Sequence, residues 1–374
     1  MSQNHLTDEQ KLAWLTLMRA KGIGPVLFRR LLNRYGGAAA ALEGVADLIK
    51  KHQNRKSIQI PDAAVIVAEL ERGSALSCTL VSPTETGFPP LLRKVADAPP
   101  MLWTRGARDV TTKPTIAIVG SRQASAHSRQ MARTLAKDLG GAGYAIISGF
   151  AAGIDRAAHE GSLQTGTIAA IAGGLGRITP ESNADLIAPL CETGLFVSER
   201  PPDAPPRATD FPARNRIIAA SAQITIVIEA ARKSGSLITA RRAKDYQRPV
   251  GAVPGTPMDP RSAGPNGLIK RGMPLIETAE DVISAIKNQD ESQTEPMLFS
   301  ESDADAPVIY EVEPSVTEEI LSLLGANAVT SDALVRESGL SQHVINAALI
   351  DLELTGGIIV HSDGSFEKAV PNNI

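Results

Sequence analysis

Cysteine and aromatic residues are scarce in this sequence of 374 residues. The two cysteines, Cys78 and Cys191, are far apart and have no histidine close to them. We therefore expect neither a disulfide framework nor a zinc site, and a reducing compartment fits this composition. Aromatic residues make up only 3% of the chain, which argues against a surface that stacks many bases. We predict no metal and no cofactor.

Long apolar runs are also missing. Residues 1–20 include Asp8, Glu9 and Lys11 and lack the apolar core of a secretory signal. No stretch approaches about 20 uninterrupted apolar residues, the length that a membrane-spanning helix needs. We expect a cytoplasmic protein without a membrane contact. The apolar fraction of 43% is enough to fill the cores of two or three domains.

Charge is distributed unevenly along the chain, although the net charge is only −3. Residues 1–112 carry 15 basic and 10 acidic side chains, and residues 113–278 carry 20 and 13. Residues 279–374 carry 3 basic and 18 acidic side chains. A basic body with an acidic tail indicates a polyanionic partner for the body and a different partner for the tail.

One pattern recurs between Ile116 and Gly255: a short apolar run ends in small residues, and a polar or glycine-rich turn leads into a helix-like stretch. The apolar runs are 116–119, 144–147, 167–171, 224–228 and 250–253. Strands that alternate with helices predict an α/β fold with a parallel sheet, and such sheets bind ligands outside the carboxyl ends of their strands. Small residues and helix N-termini at that edge favour phosphate.

The flanking regions predict a division into four parts. Residues 1–75 are helical, residues 76–285 form the α/β domain, residues 286–315 form an acidic linker, and residues 316–374 form a winged helix. The start of the second part is proline-rich, with an edge strand expected near Ala75–Val81. In the first part, Gly22-Ile23-Gly24 joins two helices in the manner of a helix-hairpin-helix element; a plain helical hairpin is the alternative.

The C-terminal part shows the pattern of three helices followed by a hairpin. Thr330 and Ser341 are N-cap residues, and strands at 358–360 and 366–370 flank a turn. The third helix carries Asp351 and Glu353 but neither lysine nor arginine. Because contact with phosphate needs positive or donor groups, this pattern favours a protein-interaction module over a DNA reader.

Two turns of the α/β region combine glycine with hydrogen-bond donors. Gly120-Ser121-Arg122 follows the first strand and Ser148-Gly149 follows the second. Glycine admits a ligand oxygen, serine donates, and arginine offers a fork to phosphate. The alternative for the first is a turn with an exposed arginine. The second turn lacks the full G-x-G-x-x-G spacing, so NAD is not expected.

Asp155 and His159 lie four residues apart on one predicted helix. They could act as an acid–base pair, but no nucleophile is evident, and we favour a hydrogen-bonded pair that fixes the preceding loop to the helix.

The segment Phe211–Arg216 is the most specific motif in the sequence. Arg214 and Arg216 flank Asn215 at the start of a predicted helix, and we favour phosphate contacts over surface ion pairs for both arginines. Phe211 could stack on a base or pack in the core.

A carboxylate and a polar turn follow the fourth apolar run. Lys233-Ser234-Gly235-Ser236 supplies a cation and hydroxyl groups at the start of a helix. Glu229 could be catalytic, but a buried salt link to Arg214 or Arg216 needs no further partner and is preferred.

Taken in order, these motifs closely resemble the DNA-processing protein A family, also called DprA/Smf. The resemblance is strong over residues 80–280 and looser in the two flanking parts. It rests on Ile118–Arg122, Ser148–His159, Phe211–Arg216, Ser234–Ala240 and Val253–Gly255. It departs at Ile178-Thr179-Pro180, where the family usually has a tyrosine before the proline. The resemblance implies an extended Rossmann-like domain that binds single-stranded DNA, forms dimers and loads a RecA-type recombinase during natural transformation, without an established catalytic activity.

The sequence therefore predicts a non-enzymatic protein whose pocket reads the DNA backbone and not the bases. Two alternatives remain. A nucleotide phosphoribohydrolase could use Glu229 above a phosphate site, although the glycine-rich signature of those enzymes is missing. A purely structural adaptor could act through the acidic tail.

Overall fold

The computed structural model describes residues 6–51, 58–290, 314–325, 327–361 and 364–369. Two compact units share the chain: one comprises residues 68–290, and the other combines residues 6–67 with the C-terminal region. The N-terminal helices and the C-terminal region thus pack into one compact unit.

Polar side chains cap the N-termini of several helices. Thr7 forms a capping box with Gln10, and Thr330 and Ser341 accept hydrogen bonds from the first turns of their helices. Gly339 ends a helix in the left-handed conformation. In chain order the helices are α1 (Asp8–Arg19), α2 (Pro25–Tyr35), α3 (Ala38–Lys51), α4 (Ala63–Ala75), α5 (Ala126–Gly141), α6 (Ile154–Ser162), α7 (Ile187–Thr193), α8 (Asp210–Ser221), α9 (Ser236–Asp245), α10 (Ala263–Ile269), α11 (Ala279–Asp290), α12 (Pro314–Leu323), α13 (Ser331–Ser338) and α14 (Gln342–Leu354).

The unit of residues 68–290 is built on an eight-stranded sheet. Its strands are β1 (Thr79–Val81), β2 (Leu102–Gly106), β3 (Thr115–Gly120), β4 (Ala145–Ser148), β5 (Thr167–Ala170), β6 (Leu195–Ser198), β7 (Thr225–Ile228) and β8 (Val250–Ala252). Their order is β1-β2-β6-β5-β4-β3-β7-β8, parallel from β6 to β8, with β1 and β2 antiparallel at one edge. The α/β fold class with a mostly parallel sheet is confirmed.

The sheet is covered on both faces, as parallel sheets require. Alternate residues of the central strands enter two hydrophobic clusters. Ala117 and Val119 of β3 belong to one, and Ile116 and Ile118 to the other. Every residue of β4, β5, β6 and β7 is buried. The nearly continuous apolar runs in the sequence follow from this burial on both sides.

The second unit contains α1, α2 and α3 together with α12, α13, α14 and a hairpin of β9 (Ile358–Val360) and β10 (Phe366–Lys368). Two hydrophobic clusters fill it. One lies among the N-terminal helices and includes Ile350 and Leu354 of α14; the other lies among α12, α13, α14 and the hairpin. The three predicted C-terminal helices and the hairpin are confirmed, although Asp363 of the predicted turn lies outside the described residues.

One sequence-based expectation about a connection differs from the structure. Helix α11 continues to Asp290, so residues 286–290 are helical and not linker; residues 291–313 of the expected linker lie outside the described residues.

Among the described residues, no helix has the length and apolar character that a bilayer crossing requires.

Candidate functional site

A pocket lies where the order of the strands reverses. The chain runs from β3 through β4 and β5 to β6 on one side, and returns to place β7 and β8 on the other side of β3. Parallel sheets bind ligands in the crevice at such a switch point. Here the crevice has a volume of about 500 Å³, within the range of ligand sites. We call it the strand-edge pocket.

Most of the residues predicted for the site line this pocket. They come from the turn after β3, from α8 and from the turn that leads into α9. The predicted residues present are Gly120, Ser121, Arg122, Phe211, Arg214, Asn215, Lys233, Ser234, Gly235 and Ser236. Lining residues that the prediction missed are Val119, Gln123, Ala151, Asp155, Pro212, Ile218, Ala231, Ile238 and Thr239. Many of these are small or apolar and carry no chemical signal in the sequence.

A smaller hollow of about 180 Å³ adjoins the pocket, and we call it the side hollow. Both cavities share Arg122, Ala151, Phe211 and Arg214 as lining residues. The remaining walls of the side hollow are Gly149, Ala152, Ile171, Ala172, Thr179 and Pro180. The Thr179-Pro180 segment, where this chain departs from the family pattern, therefore lies at the site.

Arg122 and Phe211 form a pair among the lining residues of the pocket. The Arg122 guanidinium lies over the Phe211 ring, 5.4 Å from its centroid, a cation–π arrangement. Arg122 is exposed and Phe211 is half-buried. Within the described chain, no carboxylate forms an ion pair with Arg122. Phe211 is thus a wall of the pocket and not a core residue.

The turn before α9 supplies the second free cation. Lys233 is exposed and forms no ion pair with any residue that the structure describes. The hydroxyl groups of Ser234 and Ser236 are 2.8 Å apart. Asn215 donates to the carbonyl of Gly235 at 3.3 Å, which fixes this turn to α8. Because α9 begins at Ser236, its positive dipole end faces the pocket beside Lys233.

Arg214 has a different environment from the one that its motif suggests. It is buried, with 7% of its surface exposed. Its Nη1 donates to the carbonyls of Gly149 and Ala170. Burial lowers the pKa of Arg214 to about 10, and the charge of Asp155 opposes that shift. Arg214 is therefore a buried wall residue that joins α8 to the ends of β4 and β5.

Arg216 was expected to contact phosphate, but it does not line the pocket. Its guanidinium forms an ion pair with Glu199 and donates to the carbonyl of Asp97. The reason is helical geometry. Helix α8 begins at Asp210 and already includes both arginines, so residues two positions apart point to different sides.

Ser148 and the Asp155/His159 pair also differ from expectation. The buried Ser148 hydroxyl donates to the carbonyl of Ile118 at 2.6 Å and is not offered to a ligand. Asp155 accepts from the amide of Ala151, so it does fix the preceding loop, but without His159. The Nδ1 atom of His159 instead contacts the Thr167 hydroxyl at 2.7 Å. Burial raises the pKa of Asp155, and the charge of Arg214 opposes that rise.

Glu229 braces neither Arg214 nor Arg216, contrary to the preferred reading of the sequence. It accepts from the amide of Ser125 at 2.9 Å, just before α5, and it does not line the pocket. The partner of Arg216 is Glu199, and Asp155 is the carboxylate whose charge acts on Arg214. Sequence spacing could not reveal these partners, because Glu199 follows β6 and Asp155 lies in α6, both far from α8 along the chain.

Internal packing, and not ligand access, accounts for the glycines at two strand ends. A Cβ atom at Gly120 would lie 1.9 Å from the carbonyl oxygen of Ile228. A Cβ atom at Gly149 would lie 2.7 Å from Asp155 and 2.8 Å from Arg214. Gly235 differs because nothing lies within 4 Å of its Cβ position. Gly235 is therefore the one of these three with open space beside it.

The electrostatics of the pocket favour an anion. Arg122, Lys233 and the buried Arg214 are its cationic lining residues, and Asp155 is the acidic one. Two exposed cations beside hydroxyl groups and a helix N-terminus suit phosphate. In the described parts of the chain, no group of three or more potential ligands is placed to hold a metal ion.

Comparisons with known proteins agree with this architecture in all three regions. The family description "DNA recombination-mediator protein A" matches residues 79–287. A DprA-like N-terminal helix-hairpin-helix domain matches residues 8–71, and a DprA winged helix domain matches residues 304–364. The expected helix-hairpin-helix and winged-helix folds are thereby confirmed.

Similar proteins carry the same names. Protein Smf of Escherichia coli is 34% identical over 277 residues, which cover 72% of each chain. The X-ray structure of DNA processing protein A from Streptococcus pneumoniae superposes with a TM-score of 0.62 at 29% identity, covering 75% of this chain and 98% of the other. DNA processing protein A from Helicobacter pylori, described for its single-stranded DNA binding mode, gives a TM-score of 0.52 at 30% identity and covers 57% of this chain and 96% of the other. With the family match spanning more than half of its length, this chain belongs to the DNA recombination-mediator protein A family.

Proposed function

We propose that the chain binds single-stranded DNA in the strand-edge pocket, through the backbone and without strong sequence preference. The observation that carries the proposal is the pair of exposed cations without ion-pair partners among the described residues, Arg122 and Lys233, which line the same pocket as Phe211. The other arginines around the sheet, such as Arg133, Arg156 and Arg216, are engaged with carboxylates.

Different residues of the pocket suit the DNA backbone and the DNA bases. Arg122 and Lys233 suit phosphate oxygens, and the hydroxyl groups of Ser234 and Ser236 add donors. A phosphate that draws Arg122 away from Phe211 opens the face of the ring to a base. Stacking of this kind tolerates every base, because each has a π-face. Slight sequence preference follows.

Two observations support single strands in particular. The pocket and the side hollow are concave and adjoin at Phe211, which suits unpaired nucleotides whose bases can turn into a cavity. The similar protein from Helicobacter pylori is described for binding single-stranded DNA.

A titration separates binding from catalysis. The full chain is titrated with labelled oligo(dT), with a duplex of equal length and with nucleoside monophosphates. Release of free nucleobase is measured in the same samples. We expect the oligonucleotide to bind more tightly than the duplex, with no base released. Base release from monophosphates would favour the phosphoribohydrolase alternative. Against that alternative, Glu229 hydrogen-bonds to the Ser125 amide and lies outside the pocket lining.

We further propose that the bound strand is passed to a RecA-type recombinase and that the chain forms a homodimer through the Rossmann-like unit. Family membership supports both steps. The test is a recombinase-loading assay on strands coated with single-strand-binding protein. The chain should speed loading, and the double variant Arg122→Ala/Lys233→Ala should not. Equal acceleration by both proteins would separate loading from the pocket. Sedimentation of the full chain tests the dimer.

A further inference from the structure

The C-terminal helix α14 contacts helix α2 through two ion pairs within the same compact unit. The Nη1 and Nη2 atoms of Arg34 donate to the two carboxylate oxygens of Asp351 at 2.6 and 3.2 Å. Nη1 also donates to the carbonyl of Ala347 at 2.9 Å. One turn earlier on α2, Arg30 donates to Glu353 at 3.1 Å. Helix α14 therefore places a carboxylate at each arginine, through two hydrogen bonds at Arg34 and one at Arg30.

The contact is closely packed. The side chains of Arg34 and Asp351 are 9% and 14% exposed. Ile350 and Leu354 of α14 enter the hydrophobic cluster of the N-terminal helices. The guanidinium of Arg30 also lies over the ring of Phe366, 5.1 Å from its centroid. The acidic face of α14, which the sequence marks as unsuited to DNA, thus has a partner within its own chain.

The chemistry of these forks points to a second kind of occupant. An arginine fork takes a carboxylate and a phosphate in the same bidentate manner. Residues 8–35, which contain the helix-hairpin-helix element, carry six basic and two acidic side chains. Helix α14 carries two acidic and no lysine or arginine side chains. The carboxylates of Asp351 and Glu353 stand where phosphate oxygens would otherwise bind.

We infer that Arg30 and Arg34 form a second binding site, for the phosphodiester backbone of nucleic acid, and that Asp351 and Glu353 close it as an intramolecular competitor. The site belongs to a different unit from the strand-edge pocket and goes beyond the proposed function. Displacement of α14 exposes both arginines.

The experiment uses the full chain in the background Arg122→Ala/Lys233→Ala, in which the two exposed cations of the strand-edge pocket are absent. Binding of a labelled duplex and of oligo(dT) is measured against salt, before and after adding Asp351→Asn and Glu353→Gln. Hydrogen exchange of α14 is followed in the same proteins. The milder single variant Glu353→Gln, at the more exposed pair, is measured in parallel in case the double variant misfolds.

The neutralised variants should show faster exchange in α14 and tighter binding. For duplex, the log–log salt slope should become more negative by about 2, because about 0.9 is gained per phosphate and two forks are opened. Adding Arg30→Gln and Arg34→Gln should abolish the gain. Three results would overturn the inference: unchanged exchange with unchanged binding, faster exchange without a gain in binding, or a gain that persists without the two arginines.

Discussion

Burial gives two arginines of the same pocket opposite roles. Arg122 is exposed over Phe211, whereas Arg214 is buried in the pocket wall and donates to two backbone carbonyls. A sequence motif identifies both as phosphate ligands because it records the residue type and not the depth of the side chain. The distinction has measurable consequences for stability and for binding.

Replacing Arg214 by alanine should unfold the protein more easily and not merely weaken its binding. Removing one partner of a buried charged network costs about 3–5 kcal/mol, and the carbonyls of Gly149 and Ala170 would lose their donor. Lysine should not rescue stability, since it lacks the fork. Urea unfolding of Arg214→Ala, Arg214→Lys and Arg122→Ala provides the measurement. Equal stability of all three variants would contradict the role of Arg214 as a brace.

Histidine 159 should make the α/β unit less stable in mild acid. Burial, together with the charge of Arg214, lowers the pKa of His159 from 6.5 to about 3. Below pH 6.5, His159 therefore binds a proton in the unfolded chain but stays neutral in the folded chain. Stability from this group is complete above pH 6.5 and falls by about 1.4 kcal/mol per pH unit towards pH 3.

The variant His159→Gln isolates this effect from that of Asp155, whose raised pKa acts in the opposite sense. Unfolding free energies of the wild type and the variant are compared between pH 7 and pH 5. The wild type should lose more stability than the variant over this interval. Parallel curves would show that His159 does not titrate as described.

At the scale of elements, the sequence predicts five of the parallel strands and the edge strand β1, and it misses β2 and β6. β3, β4, β5, β7 and β8 are apolar runs followed by small residues, a pattern that burial on both faces produces. β2 was missed because it lies in a proline-rich stretch, and the short strand β6 was not identified either. Pairing across the sheet, which no local pattern records, makes both of them strands.

The site follows the same division. Residues on the turns after β3 and β7 line one pocket, because the ends of parallel strands share one edge. The orientation of Arg216 and the partner of Glu229 were not, because each depends on contacts with distant segments, at Glu199 and at Ser125.

A matched pair of glycines tests how the turns are built. Gly120→Ala should destabilise the chain by about 1–3 kcal/mol or more, since its Cβ would overlap the Ile228 carbonyl and Ile154. Gly235→Ala should fold normally, because its Cβ site is open and its φ of −60° suits any residue. Thermal unfolding of the two variants checks this. A stable Gly120→Ala protein would contradict the packing at the β3 turn.

At the scale of the whole molecule, the basic body and the acidic C-terminal region have distinct places in the structure. The exposed cations of the pocket belong to the unit of residues 68–290, and the acidic side chains of α14 contact arginines in the other unit. A net charge of −3 therefore does not prevent a local attraction for DNA.

Salt should weaken single-strand binding in proportion to the phosphates engaged. Arg122 and Lys233 imply about two phosphate contacts, and about 0.7 per phosphate gives a log–log slope near −1.4. Fluorescence anisotropy with oligo(dT) at several salt concentrations measures the slope. A flat response would exclude phosphate contacts as the basis of binding.

The most direct test of the central claim compares oligo(dT) binding by the wild type, by Arg122→Ala/Lys233→Ala, and by Lys137→Ala as a control. Lys137 is exposed on α5 and does not line the pocket. Hydrogen bonds to charged groups contribute about 1.5–3 kcal/mol each, so the double variant should bind at least about 100-fold more weakly, with an unchanged melting temperature. The control should bind like the wild type. A double variant that folds normally and keeps wild-type affinity would contradict the assignment of the strand-edge pocket as the DNA-binding site.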